Sequence, residues 1–282
     1  MRAFDTETTG IDPHNDRIVT AAVVYVEPGQ RPKTLQWLIH PQTDIPVEAS
    51  DVHGWTIDRI EAKLQGHPAM AIDARGRERF LRRETAIFEI ATQVAASMVH
   101  EVPLVVHNAS FDLTLLEAEA LRNDVPTLAS RPKGVTGVVD TMVLEKQYDP
   151  FRKQCYKAAG CNPDERHHEC GGCRGGKYQC GGCGSTDRTM TSLCNHYGLV
   201  LGAAHDAGAD ALAAARLAWK LGNLAGDLGR LRLSTLHQKQ VEWRRDQQLS
   251  LKKFFTRVGK PVDDICPEWP LHAACARLAV SA

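Results

Sequence analysis

Apolar positions along this chain repeat with two periods, two residues in some stretches and about 3.6 in others, and their order predicts the architecture. Residues 2–5 open a short strand, residues 17–26 form a β-branched apolar run that reads as a second, and residues 34–40 read as a third. Three strands in succession predict an antiparallel start. Within residues 85–100, Ile87, Ile90, Ala91, Val94, Ala95 and Met98 fall at helical spacing, and Pro103 follows to stop the helix. Leu104-Val105-Val106 reads as a short buried strand, and residues 111–121 as a helix beginning just after Asn108. Residues 135–139 and then 140–148 repeat the order of strand and helix. Strand and helix alternating after an antiparallel start imply an α/β domain, a mixed sheet flanked by helices.

The pattern breaks between about residues 155 and 189, where Gly, Cys and charged residues crowd out apolar ones, as in an insertion. Helical spacing resumes over residues 189–197, closed by Gly198, and over 207–221, closed by Gly222. A last helix, broken near Ser250, is expected to carry Leu228, Leu231, Leu236, Val241, Trp243, Leu249, Phe254 and Phe255. The expected organisation is one domain over residues 1–225 interrupted by the insertion, a helical extension over 226–260, and a poorly ordered tail over 261–282. The extension either completes the fold or engages a partner.

Composition narrows the class. With 43% apolar and 24% charged residues in 282, the chain matches a soluble globular protein. No run approaches the roughly 20 apolar residues of a membrane helix. Asp5 and Glu7 interrupt the segment where a signal peptide would be apolar, so a cytoplasmic location is expected. The formal net charge is zero, so any footprint for nucleic acid must be local. Two stretches qualify, Arg75 to Arg83 and Arg244 to Lys260, although such stretches are more often solvated faces.

Asp5 and Glu7 lie two apart on the first strand, so both project from one face and can share a cation. Thr8-Thr9-Gly10 follows, and the glycine lets a ligand approach the backbone. A second element, His107-Asn108-Ala109-Ser110-Phe111-Asp112, crosses from strand to helix and presents Asp112 from the first turn. A third, His205-Asp206-Ala207-Gly208-Ala209-Asp210, sets His205 before a helix and Asp210 on it. Each alone is weak.

Together these three elements resemble the exonuclease motifs of the DnaQ-like 3′-to-5′ exonuclease superfamily, which includes bacterial polymerase proofreading subunits, and the spacing of His205 and Asp210 resembles its DEDDh, or histidine, subclass. The resemblance implies a ribonuclease-H-like fold and release of nucleoside 5′-monophosphates from the 3′ end of single-stranded DNA. It further implies that Asp5, Glu7, Asp112 and Asp210 bind two Mg²⁺ or Mn²⁺ ions and that His205 is the general base. Thr8, Thr9, His53, His107, Asn108 and Phe111 would surround the terminal nucleotide, with Val52-His53-Gly54-Trp55-Thr56 as a substrate-side loop; Phe111 serves equally as a core residue. A DNA polymerase or another replication or repair protein is the implied partner. Two alternatives stay open, an exoribonuclease of the same superfamily and a non-catalytic nucleic-acid-binding accessory protein; the complete carboxylate set favours catalysis.

Nine cysteines, an odd number, argue against a fully paired disulfide set. Cys170-Gly-Gly-Cys173 and Cys180-Gly-Gly-Cys183 have the spacing of zinc clips, and a metal is the obvious source of order in a segment with so little apolar surface. One structural Zn²⁺ held by these four thiolates is expected, with Cys161, His167 and His168 as alternative ligands and a flexible reduced loop as the bland alternative.

Overall fold

The fold is described by a computed structural model for residues 1–150, 187–263 and 265–272. Strand β1, Arg2–Thr8, sits near the middle of a seven-stranded sheet. On one side β2 (Ile18–Tyr25), β3 (Lys33–Ile39), β4 (Ala69–Ile72) and β5 (Glu78–Leu81) follow as an antiparallel meander. On the other, β6 (Leu104–Val106) and β7 (Val138–Asp140) run parallel to β1. The mixed sheet is as expected.

Alternation along β1 divides the core in two. Phe4 joins the larger cluster, with Ile87, Ile90 and Val94 of α3 (Arg83–Val99) and Leu113 and Leu116 of α4 (Ala109–Arg122). Ala3 faces the opposite side, with Leu193 and Tyr197 of α6 (Met190–Tyr197) and Ala211, Ala214 and Leu217 of α7 (Ala207–Leu224). Asp5 and Glu7 therefore share the α7 face, and Thr6 looks toward α4. The alanines of α7 let it lie close across β1 and β2. Gly208 eases that approach, because a Cβ there would stand 3.2 Å from Thr34 Cγ2 and would displace the end of the Gln36 side chain.

Several elements escape the sequence pattern. Helices α1 (Val47–His53) and α2 (Ile57–Leu64) lie in a stretch to which the periodicity assigns no element, on either side of the expected substrate-side loop. The hairpin of β4 and β5 turns on Gly76, at φ +75°, with the Asp73 carboxylate accepting from the backbone N–H groups of Arg75 and Arg77. Much of the Arg75 to Arg83 charge is spent locally: Arg77 pairs with Asp73, Arg79 with Glu89, and buried Arg83 lies 3.9 Å from Glu119. The bland solvated-face account holds for most of that stretch.

Helix α5 (Thr141–Tyr148) begins where expected, whereas α7 continues through Gly222 to Leu224 because the 3₁₀ turn Leu228–Arg230 packs directly on that glycine. Leu228 lies in this turn, and Leu231 follows it. Helix α8 (Leu233–Arg257) is continuous through Ser250, where a break was expected. Among the described residues no helix is long and apolar enough to cross a membrane.

The tail expected to be loose beyond Pro261 contains a packed stretch. Trp269 and Leu271 are buried in the larger cluster, and the backbone N–H of His272 donates to Thr114 Oγ1 on α4 at 2.9 Å. Trp269→Ala is expected to cost about 3–5 kcal/mol, measured as a lower urea midpoint. An unchanged midpoint would show that this stretch does not hold the domain together. The expected zinc clip, Cys170 to Cys183, lies outside the described residues.

Candidate active site

The site forms where the sheet changes direction. Strand β6 pairs with β1 at Arg2 and Ala3 and then turns into α4, so Asp5 and Glu7 stand at the carboxyl end of β1 beyond the reach of that ladder. Open α/β sheets place ligands at such switch points. The turn is made by Asn108 at φ +63°, a left-handed conformation that asparagine tolerates. It delivers Asp112, in the first turn of α4, to the β1 carboxylates. Thr6 Oγ1 donates to Asp112 Oδ1 at 2.7 Å and fixes its rotamer.

Asp210 arrives from the other face, in the first turn of α7. Asp206 caps that helix by accepting from the Ala209 N–H at 3.0 Å. Just before it, His205 adopts φ +63°, and its backbone N–H donates to Asp210 Oδ2 at 2.9 Å. A side-chain ligand atom from each of Glu7, His205 and Asp210 lies within 4.8 Å of the others. His205 is exposed, while Glu7, Asp210 and Asp112 are buried and Asp5 is half-buried. The imidazole thus faces solvent on the rim of an acidic floor.

Burial and mutual repulsion push these carboxyls toward their protonated forms. Desolvation raises Glu7 to about 8, with Asp210, Asp112 and Asp206 adding to it. Desolvation also raises Asp112 to about 7, against the opposing hydrogen bond from Thr6. Asp5 is raised well above the carboxylate range, first by desolvation and then by Asp112, Glu7, Asp210 and Asp206. Asp210 is raised by desolvation despite the His205 N–H. Among the described residues no lysine or arginine forms an ion pair with any of the four. Clustered hard oxygen donors without an internal cation fit a divalent ion such as Mg²⁺ or Mn²⁺.

A sign follows for pH. Carboxyls whose folded pKa lies above the unfolded value stabilise the fold below that unfolded value, and the stabilisation is lost as pH rises through the folded one. Chelator-treated protein is therefore expected to lose thermal stability as pH rises from the ordinary carboxylate range up to about 8, the loss ending as Asp112 (about 7) and Glu7 (about 8) ionise in the folded chain. Added Mg²⁺ should raise the melting temperature more at the upper end of that window than at its lower end. A cation response independent of pH across the window would contradict this electrostatic account.

Beside Glu7 lies a groove of about 320 Å³ lined by Thr8, Thr9, Gly10, Ile11, Val52 and His53, among others. Ile11 is 93% exposed and Val52 50%, so one wall offers apolar surface to a planar ligand. His53 accepts from the Trp55 N–H on Nδ1 (3.0 Å), leaving Nε2 to donate to the Thr8 carbonyl at 3.2 Å. Its pKa is lowered by burial, consistent with that neutral tautomer. The expected substrate-side loop is the junction of α1 and α2: Val52 and His53 end α1, Gly54 closes it at φ +74°, and Thr56 caps α2. Gly10 is needed because a Cβ would fall 2.5 Å from the Asp16 carboxylate.

Not all expected substrate contacts face this groove with free polar atoms. Thr9 is buried, its hydroxyl donating to Asp16 and accepting from the Arg17 N–H. Thr8 is half-buried, with its hydroxyl on the Gly10 carbonyl. His107 turns inward: Nε2 donates to the Arg188 carbonyl and Nδ1 accepts from Thr141, both at 2.8 Å. Phe111 is partly buried and packs against the larger cluster. Asn108 offers its backbone N–H to Asp140.

Sequence periodicity gave no sign of Asp140 as an organiser. Fully buried, it accepts from the N–H groups of Asn108, Ala109, Met142 and Val143 and from Trp269 Nε1, tying the loop that presents Asp112 to α5 and the C-terminal stretch. Thr6 and Asp206 are further site neighbours that motif spacing did not isolate.

No protein-family profile matches the chain. It is 26% identical over 152 residues to the DNA polymerase III subunit epsilon of Rickettsia prowazekii, covering 52% of this chain and 55% of that one. It is 27% identical over 155 residues to that of Rickettsia conorii, covering 53% and 56%. The chain thus spans about half the length of the curated relatives it matches. Among solved structures it resembles E. coli exonuclease I in complex with a dT13 oligonucleotide, with a TM-score of 0.51, 18% identity, and coverage of 80% of this chain and 42% of the other.

In sequence the chain resembles these polymerase III epsilon subunits over about half its length, and in fold it resembles exonuclease I. A second exonuclease I structure gives a TM-score of 0.52 at 17% identity, over 89% of this chain and 45% of the other, and at such identity the likeness speaks for the fold. The motif residues recognised in the sequence converge at the end of β1, whereas the groove beside them is built by the segment that follows β1 and by α1.

Proposed function

We propose that this chain is a divalent-cation-dependent 3′-to-5′ exonuclease that removes nucleoside 5′-monophosphates from single-stranded DNA. The observation that carries the proposal is the meeting of Glu7, His205 and Asp210 within ligand distance, with Asp5 and Asp112 adjoining, beside an open apolar-walled groove. Asp5, Glu7, Asp112 and Asp210 would hold two Mg²⁺ or Mn²⁺ ions, which when bound supply Lewis acidity at the scissile phosphate and neutralise charge on the leaving 3′ oxygen. His205, exposed on the rim, accepts a proton from the attacking water. Ile11 and Val52 present apolar surface to the terminal base, and His53 and Thr8 form the wall beside its sugar.

DNA as polymer and a DNA polymerase as candidate partner are supported by the name of the curated relatives and by the oligonucleotide bound in the exonuclease I neighbour. The test is digestion of matched 3′-labelled single-stranded DNA, duplex DNA and RNA with Mg²⁺, Mn²⁺ or chelator. Fastest monophosphate release from single-stranded DNA is expected; faster release from RNA would reassign the polymer. We also propose that Cys170, Cys173, Cys180 and Cys183 bind one structural Zn²⁺, supported by their paired C-x2-C spacing. Anaerobically purified protein is expected to carry about one zinc per chain, and zinc-free protein would end that assignment.

A further inference from the structure

Helix α8 concentrates positive charge in a chain of zero net charge. It carries Lys239, Arg244, Arg245, Lys252, Lys253 and Arg257 against Glu242 and Asp246. Its first half is anchored in the fold. Gln240 is buried, accepting from the Asp140 N–H and donating to the Val138 carbonyl, and Gln247 Nε2 donates to the Val143 carbonyl at 3.1 Å. Beyond Gln248 the helix is largely exposed, including Lys252, Lys253 and Arg257.

Between this exposed half and the end of α5 lies a groove of about 760 Å³, lined by Lys146, Pro150, Asp246, Lys253, Phe254 and Arg257 among others. Lys146 is half-buried and forms no hydrogen bond or ion pair with any described residue. Its ammonium pKa is lowered by burial and then by the guanidiniums of Arg188 and Arg244, the mark of a cation set among cations. Phe254 is 45% exposed, with the Arg257 guanidinium 5.4 Å over its ring. A cationic groove with an accessible aromatic is the combination that holds a single strand, by charge on the phosphates and by stacking on the bases.

Helix α8 also touches the helix that carries Asp112. Arg244 Nη2 donates to Ser110 Oγ at 3.3 Å, and Ser110 lies two residues before Asp112 in the first turn of α4. From Arg244 to Arg257 the helix advances ~20 Å at about 1.5 Å per residue, a run long enough to follow several nucleotides of a single strand.

We propose that the groove between α5 and α8 binds the upstream part of the single-stranded nucleic acid whose 3′ end is hydrolysed at the carboxylates, with Lys146, Lys253 and Arg257 on its phosphates and Phe254 against a base. This rests on the nuclease reading and adds a second binding surface to it. Long substrates are then held at both places and short ones at the cluster alone.

The test uses the full chain carrying Lys253→Glu and Arg257→Glu, both on exposed positions outside the catalytic cluster. Binding of thymidine oligonucleotides of roughly four and roughly sixteen nucleotides is measured in chelator across a salt series. The parent is expected to bind the longer strand at least about tenfold more tightly. The variant should lose most of that difference, and its salt slope should become shallower by roughly 1.4, the value for two phosphate contacts on a single strand. Phe254→Ala, which leaves the charges in place, should weaken long-strand binding about tenfold with the salt slope unchanged. Turnover on the short strand should stay at the parent level in both variants. Parent-like long-strand affinity and salt slope in the charge-reversed chain would overturn the groove assignment. Digestion of the short strand by the parent tests the nuclease reading separately.

Discussion

Asp5→Asn is expected to reduce nucleotide release by about a thousandfold or more while leaving the chain folded. The substitution keeps the shape of the side chain and removes its charge. The Asp5 carboxyl is raised first by desolvation and then by Asp112, Glu7, Asp210 and Asp206, so it stands among the other carboxyls of the cluster. A cation there contributes several kcal/mol of transition-state stabilisation, and each 1.36 kcal/mol is about a factor of ten in rate. The metal-free variant should also be more stable at pH about 8 than the metal-free parent, because one buried repulsive charge is gone. The measurement pairs single-turnover release at saturating Mg²⁺ with thermal melting in chelator. Parent-like turnover would remove Asp5 from the metal site.

Substitution of His205 should have a different signature. His205→Asn is expected to lower turnover by roughly 100 to 10,000-fold, the usual contribution of a positioned base. Asparagine suits the test better than alanine because the residue sits at φ +63°, where alanine would add backbone strain to the loss of the imidazole. Its backbone N–H can still reach Asp210 Oδ2, so the acidic floor should keep its shape. A base role predicts little change in the Mg²⁺ concentration giving half-maximal activity. Because a His205 ring nitrogen lies within 4.8 Å of ligand oxygens on Glu7 and Asp210, a large shift in that concentration would recast the histidine as a ligand. Unchanged turnover would exclude the base assignment.

The contrast between what the sequence shows and what it conceals follows from the range of the forces involved. Strands β1 to β3 and helices α3 and α7 bury continuous faces, so their apolar periodicity is visible in one dimension. Asp5 and Glu7 share a strand face, and Asp112 and Asp210 occupy first helical turns; each is a weak signal alone, and only the resemblance of the three motifs together singles them out. Asp140 gives no such signal, because its partners Ala109 and Trp269 lie 31 and 129 residues away. The inward turn of His107 is likewise invisible without Arg188, 81 residues on. The β4 and β5 strands are four residues each, too short for a period to emerge. Packing of Trp269 beside Asp140, not any pattern in the tail itself, orders the stretch expected to be loose.

The central claim is that the carboxylate cluster removes nucleotides from 3′ ends with the help of divalent cations. Single-stranded DNA bearing distinct 3′ and 5′ labels, sampled over time with Mg²⁺ or with chelator, tests it most directly. The account predicts early release of the 3′ label as a nucleoside monophosphate, stepwise shortening of the 5′-labelled strand, and no reaction in chelator. Intact strands in the presence of Mg²⁺ or Mn²⁺, or release of the 5′ label first, would contradict it.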